Sequence, residues 1–186
     1  MGMDDVRLRD VIPSDLDVFL VHEHDAEAVR RSRFVPRARD AFLAHWEKKI
    51  LGDPECSVRT VVVDGHPAGN ILSWPDANPA PRATPARTPP RRFLGYWLGS
   101  AYWGRGIGTA ALRLYLADVE YVRPLYADVH VGNTASIRLL ERLGFRPTGP
   151  TGDISYDGDG DGAVETDGAD EYVLLALPPT APTPTP

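Results

Sequence analysis

The chain has 186 residues, with 20 Lys and Arg against 26 Asp and Glu for a formal net charge of −6 at pH 7, and 42% hydrophobic residues. That length buries a proper core in one domain, and the acidic balance argues against nucleic acid as a partner, since such binding depends on clustered cations that neutralise phosphates. Cys56 is the only cysteine and no apolar run approaches the roughly 20 residues that span a bilayer, so an internal disulfide and a cysteine-based zinc site are excluded, no membrane partner is expected and a reducing cytoplasm is the expected home.

Residues 6–11 alternate and read as a short edge strand. Ser14 stands three residues before Asp17 as a loose capping box, and Asp15 favours the same helix start, with Leu16, Phe19 and Leu20 as the apolar stripe. His22, Glu23, His24 and Asp25 carry metal-ligating groups, but on a helix the two imidazoles diverge by roughly 200°, so a solvated helix end is expected there. Arg30, Arg31, Arg33, Arg37 and Arg39 surround Phe34 and read as a solvated connector, with guidance of an acidic substrate or a nucleotide phosphate as the other reading. Residues 41–51 place Phe42, Trp46, Lys49 and Ile50 on one face of a helix that Gly52-Asp53-Pro54 ends. Residues 58–63 are rich in β-branched side chains, and Asp64-Gly65 predicts a two-residue hairpin into a strand over 68–74. Residues 75–92 hold six prolines, a density no regular element tolerates, and predict a mobile surface loop acting as a spacer or folding over a substrate.

Residues 93–122 organise the rest. They read as a strand, a glycine-rich turn and an amphipathic helix, and a helix that starts soon after a strand presents unpaired backbone N–H groups outward. Gly104, Gly106 and Gly108 let those amides approach a ligand, and the helix beginning near Ile107 adds about half a positive charge. A diphosphate is the natural guest. Leu112, Tyr115, Leu116 and Val119 press this helix onto a sheet. A strand over 125–131 follows, so two neighbouring strands joined by a crossover helix are expected. Asn133 and Thr134 then open a second helix in which Ser136, Leu139, Leu140 and Leu143 face inward, and Gly144 is its left-handed C-cap. Asp157, Asp159 and Asp161 with Gly162 are spaced like a calcium loop, but Gly168 stands where the bidentate Glu belongs, so residues 157–170 read as an acidic loop before a last strand over 172–177. Residues 178–186 are expected to be a disordered tail to a single domain spanning 1–177.

Two phosphate-binding patterns fit the turn imperfectly. A nucleoside-triphosphate loop needs Lys and Ser or Thr directly after its last glycine, and Gly104 is followed by Arg105 and Gly106. A dinucleotide fingerprint is met by Gly106, Gly108 and Ala111, with Asp128 about twenty residues on where the ribose acid belongs. Against it, residues 100–103 separate the strand from the fingerprint, and too little chain remains for a second nucleotide-binding half.

Two blocks together, GYWLGSAYWGRGIGTAALR at 95–113 and NTASIRLLERLGF at 133–145, resemble the GNAT superfamily of N-acetyltransferases, in particular its RimJ/RimL-like branch. The resemblance implies an α/β fold with a mixed, mostly antiparallel sheet flanked by helices and a central splayed strand pair. It implies acetyl-CoA as cosubstrate, no metal, a primary amine as acceptor (a small molecule or a protein N-terminus), direct attack without an acyl-enzyme, and a homodimer as one option. The turn of Trp103, Gly104, Arg105, Gly106, Ile107, Gly108 and Thr109 would bind the pyrophosphate, with Arg105 either adding a cation or remaining solvated. Backbone groups of Tyr96, Trp97 and Leu98 would hold the pantetheine arm and polarise the thioester carbonyl, while their side chains read as packing. Asn133 would bind the arm or serve as an ordinary N-cap. Many members have a Tyr at the place of Leu140 that protonates the departing thiolate; Ser136 would substitute for it here, or hydrogen-bond its own backbone four residues earlier. Glu23, His24 and Asp76 are candidate bases by location alone. The absent Tyr keeps open a non-catalytic acyl-CoA-binding domain.

Overall fold

Alternating β-branched residues build the centre of the fold. In this computed structural model, which describes residues 4–76, 91–150 and 172–179, β2 (Ser57–Val63) and β3 (His66–Pro75) form the expected hairpin. Its turn residues Asp64 and Gly65 sit at φ 49° and 84°, the left-handed pair that matches the twist of the strands. Val61, Val63 and Ile71 project to one face and Val58 and Leu72 to the other, so this sheet is covered on both sides.

The remaining strands are β1 (Val6–Arg9), β4 (Arg92–Leu98), β5 (Leu125–His130), β6 (Arg146–Pro150) and β7 (Tyr172–Leu177), and the seven lie in the order β1-β2-β3-β4-β5-β7-β6. Among the described strands every neighbouring pair is antiparallel except β4 and β5. The helices are α1 (Asp15–Glu23), α2 (Ala26–Ser32), α3 (Arg39–His45), α4 (Ile107–Asp118) and α5 (Thr134–Arg142). α4 is the crossover between β4 and β5; its Leu112 and Tyr115, with Leu140 of α5, enter the larger core. On the opposite face Phe19, Phe42, Trp46 and Ile50 form a second cluster.

Three local expectations change. Ser14 makes no side-chain cap, because the neighbouring Asp15 turns inward. There it accepts from Arg9 Nη2 at 2.7 Å, Thr60 Oγ1 at 2.7 Å and the Ile12 amide at 3.0 Å. Part of the arginine-rich stretch is helical: Asp25 caps α2 by accepting from the amides of Glu27 and Ala28, and Glu27 pairs with Arg30 and Arg31 one turn on. The helix over 41–51 begins at Arg39 and widens to a π turn at Trp46–Leu51, which sets Trp46 and Ile50 in the core and leaves Lys49 exposed. The expectations for the proline-rich loop between 77 and 90, the acidic loop at 157–170 and the tail beyond 179 lie outside the described residues.

Candidate active site

Only Arg92 and Phe93 of β4 pair with β5, opposite Leu125 and Tyr126. Beyond them the two strands part, and β4 runs on to Leu98 while β5 runs on to His130. The gap opens into a cleft of about 1420 Å³, larger than the roughly 300–1,000 Å³ of a single small-molecule pocket and roomy enough for two reactants.

The closed end of this gap is held by a buried polar network. Glu120, just past α4, accepts from Ser73 Oγ at 2.6 Å, Arg92 Nε at 2.9 Å and the Val122 amide at 2.8 Å. Tyr115 meets Ser73 Oγ at 2.8 Å and donates to the carbonyl of Ser57 at 2.7 Å. Burial alone would raise the Glu120 carboxyl, but the bonds from Ser73, Val122 and Arg92 outweigh it and hold the group below the ordinary carboxylate range. Burial pushes the Tyr115 phenol up to about 12.

At the open end the glycine turn delivers α4. Gly104 and Gly106 sit at φ 72° and 80°, a region that glycine enters without strain. Gly106 is the N-cap and offers no side chain, so the amides of Ile107, Gly108 and Thr109 in the first helical turn are left uncapped. A Cβ on Gly108 would come within 2.9 Å of the Leu139 side chain, so its absence lets α4 start tight against α5. Trp103 Nε1 donates to the carbonyl of Leu98 at 2.9 Å, which locks the start of the turn to the end of β4.

Of the residues that the sequence assigns to cofactor binding or, for Ser136, to catalysis, all line the cleft except Arg105. Arg105 turns away to pair with Asp4, with Nε 3.2 Å from its carboxylate. The cation beside the turn is Arg31, whose guanidinium lies 4.4 Å from the centroid of the Trp103 ring and whose Nε is held by Glu27 at 2.7 Å. Asn133 is an N-cap: its side chain accepts from the Ser136 amide at 3.3 Å. The Ser136 hydroxyl is not bonded to the carbonyl of Gly132, and it lies beside the Tyr96 phenol. Trp97 faces the other way, donating from Nε1 to the carbonyl of His22 at 2.8 Å and meeting Phe34 edge-on at 5.7 Å.

Of the candidate bases, Glu23 accepts from the Arg37 amide at 2.8 Å and Asp76 from Arg91 Nε at 2.9 Å, and both line the cleft. His24 is bonded through Nδ1 to the carbonyl of Leu20 and does not line it. His22 and His24 diverge, His22 packing under Gly99. The Cys56 thiol is pushed up to about 11 by burial and stays protonated at neutral pH. Sequence reasoning placed Arg31 in a run read first as a solvated connector, with guidance of a nucleotide phosphate as the second reading, and missed the Tyr96 hydroxyl as a cleft group; the Glu27 and Arg31 pair at i, i+4 is a local hint that the arginine run is helical. The dinucleotide reading falls, because it requires a mostly parallel sheet with a second nucleotide-binding half and a single parallel pair exists among the described strands.

A strand pair that splays beside a crossover helix with an uncapped, glycine-led N-terminus makes a site for an extended ligand that carries an anionic group. The chain belongs to the GNAT acetyltransferases: residues 5–146 match the family model described as acetyltransferase (GNAT) domain, and the donor it uses is acetyl-CoA. Among solved structures, a GCN5-related N-acetyltransferase from Kribbella flavida aligns with TM-score 0.64 at 20% identity, over 93% of this chain and 97% of its own. The aminoglycoside acetyltransferase AAC(6')-Ib in complex with coenzyme A aligns with TM-score 0.63 at 18% identity, over 92% and 95%. At these identities the likeness is one of fold. No curated protein matches the sequence significantly, and no helix among the described residues is long and apolar enough to cross a membrane.

Proposed function

We propose that the acceptor is a primary amine, on a small molecule or a protein N-terminus, which attacks acetyl-CoA directly within the cleft. The observation that carries this reading is the meeting, in one 1420 Å³ space, of the splayed strand gap with the uncapped start of α4. The pyrophosphate sits on the amides of Gly104, Gly106, Ile107, Gly108 and Thr109, with Trp103 and Arg31 beside it. Arg105, tied to Asp4, is left out of this site. The backbone of Tyr96, Trp97 and Leu98 takes the pantetheine arm and the thioester carbonyl. Asn133, its oxygen committed to Ser136, offers its amide N–H groups to the same arm. Ser136 hands the sulfur its proton.

Placement of donor and acceptor together supplies much of the acceleration. An α-amino group, with an ordinary pKa of about 7.7 to 8.0, is partly neutral at working pH and makes no demand for a strong base. The protonated Cys56 is consistent with attack without an acyl-enzyme. The wording around Trp103 and the Ser at 136 favour the RimJ/RimL-like branch, and with it a cytoplasmic setting and a homodimer. AAC(6')-Ib has been crystallised with coenzyme A and kanamycin, so aminoglycosides join polyamines and short peptides in the test panel. Thiol release from acetyl-CoA is expected with at least one primary amine and with none of the matching N,N-dimethyl compounds. Release with hydroxyl acceptors alone overturns the amine assignment.

A further inference from the structure

Tyr96 projects from the splayed half of β4 toward the face that carries α5 and packs at the edge of the larger core. Its hydroxyl oxygen is shut off from solvent and has no hydrogen-bond partner. The same fold shows what a satisfied buried phenol looks like: Tyr115 engages Ser73 and the carbonyl of Ser57 at 2.8 and 2.7 Å. Ser136 is a hydrogen-bonding neighbour that lowers the Tyr96 phenol, but the contact between the two hydroxyls falls short of full bonding geometry and leaves the phenol without a proper partner. Both residues line the cleft. Buried polar atoms in native folds are almost always paired, and one left unpaired on the wall of a binding cleft is accounted for when the ligand supplies the partner.

We propose that the Tyr96 hydroxyl donates a hydrogen bond to the leaving sulfur of acetyl-CoA, sharing that atom with Ser136. This rests on the acetyl-CoA reading of the cleft. A ligand anchored by its diphosphate at residues 104–109 sends its far end into the gap. The amide groups along the arm find strand-type donors and acceptors in the backbone of β4, whereas the Tyr96 side chain stands off the strand on the α5 side and is left for the end group. In the reaction the amine nitrogen bonds to the acetyl carbon, the C–S bond breaks and its electron pair goes to sulfur. Tyr96 donates to that charge and keeps its own proton; the proton lost by the amine reaches sulfur through Ser136. Burial pushes the Tyr96 phenol up to about 12, with Ser136 and Arg142 opposing the shift. The group is therefore a fixed, neutral donor at any working pH, aimed at charge that develops only as the bond breaks.

The test compares calorimetric affinities for CoA and for desulfo-CoA, which lacks the sulfur, at about pH 9, where a thiol of ordinary pKa is largely thiolate. The wild-type protein is expected to prefer CoA by at least about tenfold, the range for a hydrogen bond to a charged group. Tyr96→Phe is expected to lower that ratio several-fold, leaving the part that Ser136 holds, while its melting temperature stays at or above that of the wild type, since only an unpaired hydroxyl is removed. A ratio unchanged by Tyr96→Phe, a wild-type protein that does not distinguish the two compounds, or a variant that melts clearly lower each overturns the proposal while leaving the acetyl-CoA reading in place. Failure of the wild-type protein to bind either compound overturns both.

Discussion

At the closed end of the β4–β5 gap, Glu120 is met by Ser73, Arg92 and the Val122 amide, and Tyr115 completes the network through Ser73. At the open end of the same strand, Tyr96 has a buried hydroxyl with no partner, and the first turn of α4 has no side-chain cap. The closed end spends its polar groups on one another, which fixes the angle at which the strands part. The open end leaves its polar groups unspent, and the shape set by the first holds them ready for a ligand. Strength and binding are therefore separated along a single strand, and substitutions at the two ends should fail in different ways.

The largest effect is expected at the closed end. Glu120→Ala strands the Arg92 guanidinium in a site where Glu120 is 3% and Arg92 14% exposed, and breaking a buried pair from one side costs about 3–5 kcal/mol. Urea unfolding should show that loss, and a double variant with Arg92→Met should recover part of it. The same network predicts the acid limb. The Glu120 carboxyl and the Asp15 carboxyl are both held lower in the fold than in the unfolded chain, Asp15 because bonds from Arg9, Thr60 and Ile12 outweigh its burial. Stability from both is fully present above the unfolded values of about 4.3 and 3.9 and is lost as pH falls through the lower folded values. The urea midpoint should thus drop steeply below about pH 4, and Asp15→Asn should flatten that limb.

The open end predicts the converse. Gly106→Val places a side chain where nothing lies within 4 Å, but at φ 80°, a strain of about 1–3 kcal/mol that the fold survives. The branched side chain then stands over the amides of the first turn, and CoA affinity should fall by about tenfold or more, as expected when charge-assisted bonds to a helix start are lost. A variant that binds CoA as the wild type does moves the phosphate site away from this turn.

What was legible in the sequence follows the same division between local and distant causes. The Asp64-Gly65 hairpin and the Gly104 and Gly106 turn are set by backbone freedom at single positions, and each was readable where it stands. The inward stripe of α5 was readable from spacing, and it placed Ser136 in the cleft. Asp15 reads in the sequence as a helix-start acid, because the Thr60 that receives it lies 45 positions away. The α2 helix was hidden by its charge, since its stability comes from Asp25 as cap and Glu27 as partner to Arg30 and Arg31, with little apolar face to give it away. The unpaired state of the Tyr96 hydroxyl had no trace in the sequence at all, because it depends on which groups the surrounding elements fail to bring.

The smallest effect sharpens the open end. Arg31 and Arg105 are similarly accessible, at 36% and 43% side-chain exposure, and both lie close to the turn in space or sequence. Their partners differ: Arg105 Nη2 is committed to Asp4, whereas Arg31 spends Nε on Glu27 and spreads its guanidinium over Trp103 at the head of the turn. Stacking fixes the plane of the guanidinium and leaves its edge available to a phosphate. Arg31→Ala should therefore weaken CoA binding by about three- to tenfold at low salt, less as ionic strength rises and screening shortens its reach. Arg105→Ala should leave affinity within about twofold, the scale expected for a solvated surface pair. The reverse outcome, loss at Arg105 and none at Arg31, would mean that the Asp4 pair opens when the ligand arrives and that the cation of this turn comes from the turn itself.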